Sequence, residues 1–256
     1  MLKIGVCGKP EMMAEAKAAG FAYLEPPVNG VAAMSDGDFE AMLAGTKAIG
    51  LPTPSFNLLF PRTLELLKPE CTAAQVTEYL DKALARVQRM GGRVAVFGSG
   101  RSRNVPEGMS FEEGFRRLVE VTRLTGEVAA KYGITIVIEP LNRAESNIIN
   151  SVAEGACLVA MVNHPNVRLL ADYFHMAKDG EPLTDIQRIG SLTHTHIATK
   201  EGRLYPTADE EGFHGFMKGL KDIGFTGLMS VEGKTDDIAK DGPAAIALLT
   251  KLWEEA

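Results

Sequence analysis

The stretch Ile134–Glu145, ITIVIEPLNRAE, constrains the fold more than any other part of the chain. Five consecutive apolar or β-branched residues run into a carboxylate, Glu139, and Pro140 ends the run. A strand without a polar face suits a parallel sheet covered on both sides. Alternation places Ile134, Ile136 and Ile138 on one face and Thr135, Val137 and Glu139 on the other. The isoleucine face calls for helices packed against it. The opposite face ends in a charge, and a buried carboxylate requires a cation, a proton or hydrogen bonds.

The same rhythm runs from end to end. Strand-like runs are expected at Lys3–Val6, Ala22–Leu24, Thr53–Asn57, Val94–Phe97, Ile134–Glu139, Arg168–Asp172, Thr193–Ala198 and Leu228–Glu232. Amphipathic helical patterns lie between them, at Glu11–Ala19, Asp38–Ile49, Ala73–Met90, Phe111–Lys131, Val152–Val162, Leu183–Ile189, Phe213–Ile223 and Ala239–Trp253. Ser35 or Asp36 is expected to cap the second helix and Thr72 the third. Eight strands each followed by a helix predict a closed (β/α)8 TIM barrel, and 256 residues is the usual size of one. An open doubly wound sheet would carry a glycine-rich phosphate turn after its first strand, but that turn reads CGKPEM. No linker or low-complexity tract divides the chain, so residues 1–256 are read as one domain.

The net charge of −6 argues against nucleic acid as the main partner. The opening MLKIGVCG shows no secretory pattern and no apolar stretch is long enough to span a membrane, so a cytoplasmic protein is expected. Cys7, Cys71 and Cys157 are far apart and odd in number, which predicts buried, reduced thiols rather than a disulfide framework.

In such a barrel, chemistry sits at the C-terminal ends of the strands. The last four strands end in or carry Glu139, Asp172, His196 and Glu232, separated by 33, 24 and 36 positions. Each interval fits one βα unit, so the four side chains should share one rim. Three converging carboxylates would repel one another, and a divalent cation removes that conflict. Three oxygen ligands and one imidazole suit Mn²⁺, with Mg²⁺ or Co²⁺ as alternatives. His194 precedes His196 by two positions and should point inward one layer deeper, supporting rather than ligating.

At these residues the chain resembles the xylose-isomerase-like barrel superfamily of sugar isomerases and epimerases, and its second half is most similar to the ketose 3-epimerases. The motifs that carry the resemblance are Glu139-Pro-Leu-Asn-Arg-Ala-Glu145, Asp172-Tyr-Phe-His175, and the His194/His196 pair followed by Arg203. The resemblance implies metal binding by Glu139, Asp172, His196 and Glu232, and substrate contacts from Glu145, His175 and Arg203. It implies that Glu139 and Glu232 are the catalytic pair. One takes a proton beside the ketose carbonyl, and the other returns one to the opposite face through a metal-stabilised enediolate. Aldose–ketose isomerisation, including the hydroxypyruvate type, uses the same parts and is the alternative. So is α-proton chemistry on an oxidised sugar conjugate. An endonuclease-like phosphodiesterase would need several metals and more than the five histidines present. A neutral sugar is expected, because no glycine-rich phosphate cradle follows the seventh strand, although Lys200, Arg203 and Lys234 lie near the rim. Related barrels commonly pair into dimers or tetramers, and the sequence leaves the choice of monomer, homodimer or homotetramer open.

Overall fold

The computed structural model describes residues 2–256. Its strands are β1 (Lys3–Cys7), β2 (Leu24–Glu25), β3 (Ser55–Phe56), β4 (Val94–Phe97), β5 (Thr135–Ile138), β6 (Val167–Asp172), β7 (His194–Ile197) and β8 (Leu228–Val231). Every pairing is parallel, in the order β2-β1-β8-β7-β6-β5-β4-β3. Between β2 and β3 the ring is completed by a single parallel bridge, Pro27 to Asn57. Pro26 and Pro27 have no N–H to donate, so pairing is thin there. Asn57 N donates to Pro26 O at 3.0 Å and Val28 N to Asn57 O at 2.8 Å. These eight strands form a nearly closed (β/α)8 barrel.

The helices are α1 (Met13–Ala18, entered through a 3₁₀ turn at Pro10–Met12), α2 (Val28–Ala33), α3 (Asp36–Ile49), α4 (Ala73–Arg89), α5 (Gly100–Arg103), α6 (Phe111–Lys131), α7 (Val152–Val162), α8 (Tyr173–Asp179), α9 (Asp185–Ile189), α10 (Glu211–Asp222) and α11 (Ile238–Glu255). Among the described residues, no helix is long and apolar enough to cross a membrane. Ser35 Oγ caps α3 by accepting from Asp38 N, and Thr72 forms a reciprocal capping box with Gln75 at the start of α4.

Three short helices, α2, α5 and α8, are not among the expected eight. None is long enough to show a clear 3.6-residue period, and α2 and α5 are held by partners distant in sequence. The last carbonyls of α2 accept from the Arg86 guanidinium of α4, at 2.8 Å to Val31 O and 2.8 Å to Met34 O. α8 starts where Asp172 Oδ1 accepts from Phe174 N at 2.8 Å.

The alternation expected for β5 is realised. Ile134, Ile136 and Ile138 join the buried cluster under the helices, while Val137 meets Val96 and Leu170 inside the barrel. That apolar plug fills the interior beneath β4, β5 and β6. Beneath the remaining strands the interior is polar: Tyr23, Glu25, Ser55, His194 and Ser230 are all buried there. Gly5 of β1 makes room for this layer, since a Cβ there would sit 2.3 Å from the Tyr23 ring.

The cysteines depart in part from expectation. All three are free, but Cys157 is exposed and Cys7 and Cys71 are only half-buried. Cys157 lies on α7, whose buried face is carried by Val152, Gly155, Leu158 and Val162.

Candidate metal centre

Glu139 and Glu232 lie one residue beyond the last residues of β5 and β8, Asp172 ends β6, and His196 is in β7. Their ligand atoms all lie within 4.8 Å of one another. His196 Nδ1 stands 2.9 Å from Glu139 Oε1 and 3.2 Å from Glu232 Oε2. Arg203 Nη2 closes the group at 2.6 Å from Glu232 Oε2 and 3.5 Å from Asp172 Oδ2. Asp172 spends Oδ1 on the α8 cap, and its buried Oδ2 has no hydrogen-bond partner. An orphaned carboxylate oxygen beside two more carboxylates and an imidazole fits a hard divalent cation. These four donors are three carboxylates and one imidazole, which suits Mn²⁺, Mg²⁺ or Co²⁺, while the Cys7 sulfur lies 4.0 Å from the other imidazole nitrogen, His196 Nε2.

Burial and the neighbouring Glu232 push the Glu139 carboxyl up. Burial likewise lifts Asp172, to about 6, against the pull of Arg203. Burial would raise Glu232 too, but His196 and Arg203 outweigh it and bring that carboxyl down to about 2. The two glutamates facing one imidazole nitrogen are therefore driven apart, one toward the neutral form and one held ionised.

The layer below fixes the imidazole. Glu25, at the end of β2, is fully buried and absent from the expected site residues. Its Oε1 lies 2.9 Å from His196 Nε2, and its Oε2 lies 2.7 Å from His194 Nε2. Ser55 Oγ and Ser230 Oγ donate to the same Oε2 at 2.7 and 2.5 Å. Burial alone would raise this carboxyl, but His194 and His196 hold it well below the usual range. With Nε2 committed to Glu25, His196 is left to present Nδ1 to the carboxylates above, the carboxylate–imidazole–metal arrangement. His194 takes the deeper, supporting place expected of it. A signal for Glu25 is present in the sequence: Leu24-Glu25-Pro26 has the form of Ile138-Glu139-Pro140, and the expected strand stops one residue short of it.

The other expected contacts converge on the same place. Asn142 Oδ1 accepts from Ala144 N at 3.0 Å, which orients its amide. The Nδ2 group then donates to His175 Nδ1 at 2.8 Å and to Glu145 Oε1 at 3.1 Å. The Asn142 backbone N–H also faces His175 Nδ1, at 3.2 Å, so that nitrogen carries no proton. The proton sits on Nε2, which is buried without a hydrogen bond and lies 3.5 Å from Asp172 Oδ2. Arg203 adopts a left-handed backbone, φ 53°, after Gly202 at φ 76°, and this turn brings its guanidinium inward. Glu139, Glu145, His175, Arg203 and Glu232 all line one cavity of about 400 Å³. Lys200 and Lys234, the other rim cations, do not line it. His164 and His214 also lie outside it, and His214 pairs with Asp209 at 2.8 Å.

Glycine makes one approach work. A Cβ at Gly98, just after β4, would stand 2.0 Å from Glu139 Oε2, so only glycine leaves that carboxylate its position.

Comparison with known proteins agrees with this geometry. A stretch of 119 residues, 46% of this chain, is 32% identical to a D-psicose 3-epimerase of Agrobacterium fabrum, of which it covers 41%. A stretch of 135 residues, 51% of the chain, is 32% identical to a 2-oxo-tetronate isomerase of Haemophilus influenzae and covers 52% of it. The chain thus spans about half the length, or less, of these curated relatives. A crystal structure of D-psicose 3-epimerase in the presence of D-fructose superposes with a TM-score of 0.86, covering 98% of this chain and 99% of that one at 20% identity. The family model of the xylose isomerase-like TIM barrel matches residues 13–252, and the chain belongs to that family.

Proposed function

We propose that the protein is a divalent-metal-dependent sugar epimerase that inverts C3 of a ketose by moving the proton beside the carbonyl. The observation that carries this reading is the placement of two carboxylates, Glu139 and Glu232, at 2.9 and 3.2 Å from the same His196 Nδ1, both lining the 400 Å³ cavity. Inversion needs one carboxylate to take the proton and a second, across the carbon, to deliver one. The relation to a D-psicose 3-epimerase supports the same choice.

Glu139, Asp172, His196 and Glu232 would hold the ion, Mn²⁺ by preference. When bound, it supplies positive charge that polarises the substrate carbonyl and offsets the charge of the enediolate. The rest falls to the chain. His175 Nε2–H donates to a substrate oxygen, Glu145 accepts from a hydroxyl, and Arg203 orients Glu232 while balancing its charge. Val137, Val96 and Leu170 close the barrel interior beneath β4, β5 and β6, so water does not reach the carboxylates from that side.

Aldose–ketose isomerisation is the second reading, favoured by the relation to a 2-oxo-tetronate isomerase. Incubating the Mn²⁺-loaded protein in D₂O with fructose, allulose, tagatose and sorbose separates the two. Deuterium at C3 with a new C3 epimer is the expected result. Label at C1 or C2 with an aldose product would replace epimerisation by isomerisation.

A further inference from the structure

We propose that the substrate carries an anionic group, a carboxylate or a phosphate, held by Arg62 and Arg101 on the cavity wall that the loops after β3 and β4 build. This rests on the reading of the cavity as the site of sugar chemistry and names the class of sugar it takes. Both arginines line the same cavity as Glu139, His175 and Arg203.

The two loops are stitched into one wall. Phe60 N donates to Ser99 Oγ at 3.0 Å, Ser102 Oγ to Pro61 O at 2.9 Å, and Leu66 N to Ser102 O at 2.8 Å. Arg62 follows Pro61 and Arg101 precedes Ser102, so one hydrogen bond joins the immediate neighbours of both. Each loop opens with a non-glycine residue in the left-handed region, Leu58 at φ 48° and Ser99 at φ 36°, and both residues line the cavity. Backbone held in that region at the entry to a cavity belongs to a shaped wall rather than a passive connection.

The charges on this wall have no counterpart. Among the described residues, every arginine except Arg62 and Arg101 donates a hydrogen bond or forms an ion pair; these two do neither. Behind them Arg103 is fully buried, donating to Phe97 O and Glu139 O at 2.7 Å each, with no carboxylate paired to it. The acids of the cavity are occupied elsewhere: Glu232 with Arg203 and His196, Glu139 with His196, Glu145 with Asn142 and Arg203. Hydroxyl groups need no guanidinium, whereas carboxylates and phosphates match its planar fork. An anion entering here meets two unspent forks with a third positive charge behind them. The expectation of a neutral sugar looked for a phosphate cradle after β7; the structure assigns the anion to the loops after β3 and β4.

The test is calorimetric titration of the Mn²⁺-loaded protein at low ionic strength with D-fructose, D-fructose 6-phosphate and D-fructuronate. At least one anionic ketose should bind tenfold or more tightly than fructose, and the better of the two identifies phosphate or carboxylate as the group. The preference should shrink as salt is raised. It should fall to about one in Arg62→Ala/Arg101→Ala and survive in part in Arg62→Lys/Arg101→Lys. Both residues are exposed, and unchanged melting of the variants verifies their fold. Equal or tighter binding of fructose, no binding of either anion, or a preference that persists in the double alanine variant would overturn the proposal. An anion that binds through the arginines without exchanging its α-proton in D₂O would leave the subsite standing and remove the epimerase reading instead.

Discussion

Each of β5, β6, β7 and β8 delivers one member of the acid–imidazole cluster within one residue of its end, while β1 to β4 surround that cluster with support. Glu25 sits below it, Gly98 beside it, and Arg62 and Arg101 stand on the wall of the cavity above. The interior beneath the two groups differs in the same sense. Valine and leucine fill the barrel under β4 to β6, whereas a hydrogen-bonded layer of Tyr23, Glu25, Ser55, His194 and Ser230 lies under the rest. On the proposed reading, one side of the ring holds the reacting groups, and the other orients them and lines the approach to them.

Breaking the first side should have the largest effect. Glu139→Gln and Glu232→Gln each remove a group proposed to transfer the proton and to ligate the metal. Exchange of substrate deuterium should slow by about 10³-fold or more, and Mn²⁺ binding should weaken in titration. If either variant exchanged at the wild-type rate, the carboxylate pair would lose its assigned role.

Gly98→Ala probes the second side through the first. The added methyl would occupy space within 2.0 Å of Glu139 Oε2, and the end of that side chain can swing away without unfolding the barrel. Displacement by about 1 Å should cost roughly 10²-fold in exchange rate with little change in melting temperature. A variant with full activity would show that Glu139 does not need its present place.

Glu25→Gln acts one layer deeper. The amide keeps an acceptor for Ser55 or Ser230 but removes the charge that holds His196 Nε2–H. Mn²⁺ affinity should drop by roughly 10- to 100-fold, the usual effect of losing a partner behind a metal-bound imidazole. Wild-type affinity would mean that the carboxylate serves only the folding of the polar layer.

This contrast also explains what the sequence makes legible. Glu139, Asp172, His196 and Glu232 recur at βα spacing on consecutive strands, so a regular period reveals them. All eight strands follow from the same rhythm, with ends displaced by one to a few residues at β2 and β3, where pairing is shortest. The supporting half has no period to read. Glu25 ends a two-residue strand in which prolines follow at once, and its partners lie 30, 169, 171 and 205 positions away. Arg62 sits in a loop and Arg101 in the short helix α5, their proximity depends on Ser99 and Ser102, and nothing local marks those serines as bridges. The helix α2 likewise owes its end to Arg86, a contact that only the folded barrel supplies.

The smallest expected effect concerns a carboxylate of the second half that has the electrostatic signature of a site without its position. Glu181 follows α8, and its Oε1 accepts from Val152 N at the first turn of α7, at 2.7 Å. Burial pushes its carboxyl up, from an ordinary 4.5 to about 7, against the pull of that backbone N–H. Perturbed acids cluster at active sites, yet Glu181 lies outside the cavity and touches none of the four cluster residues. A raised carboxyl binds its proton more tightly in the folded chain than in the unfolded one. Stability is therefore greatest below about pH 4.5, falls as pH rises toward 7, and is level above it with respect to this group. Because the side chain is partly exposed, the loss should be only about 1 to 2 kcal/mol. Glu181→Gln keeps the acceptor for Val152 without the titrating proton, so its denaturation midpoint should lose this slope and exceed the wild type at pH 8. Deuterium exchange should be unchanged. If exchange fell with the slope, the division between the ring of reacting groups and the structural acids around it would have to be redrawn to include the α7–α8 side.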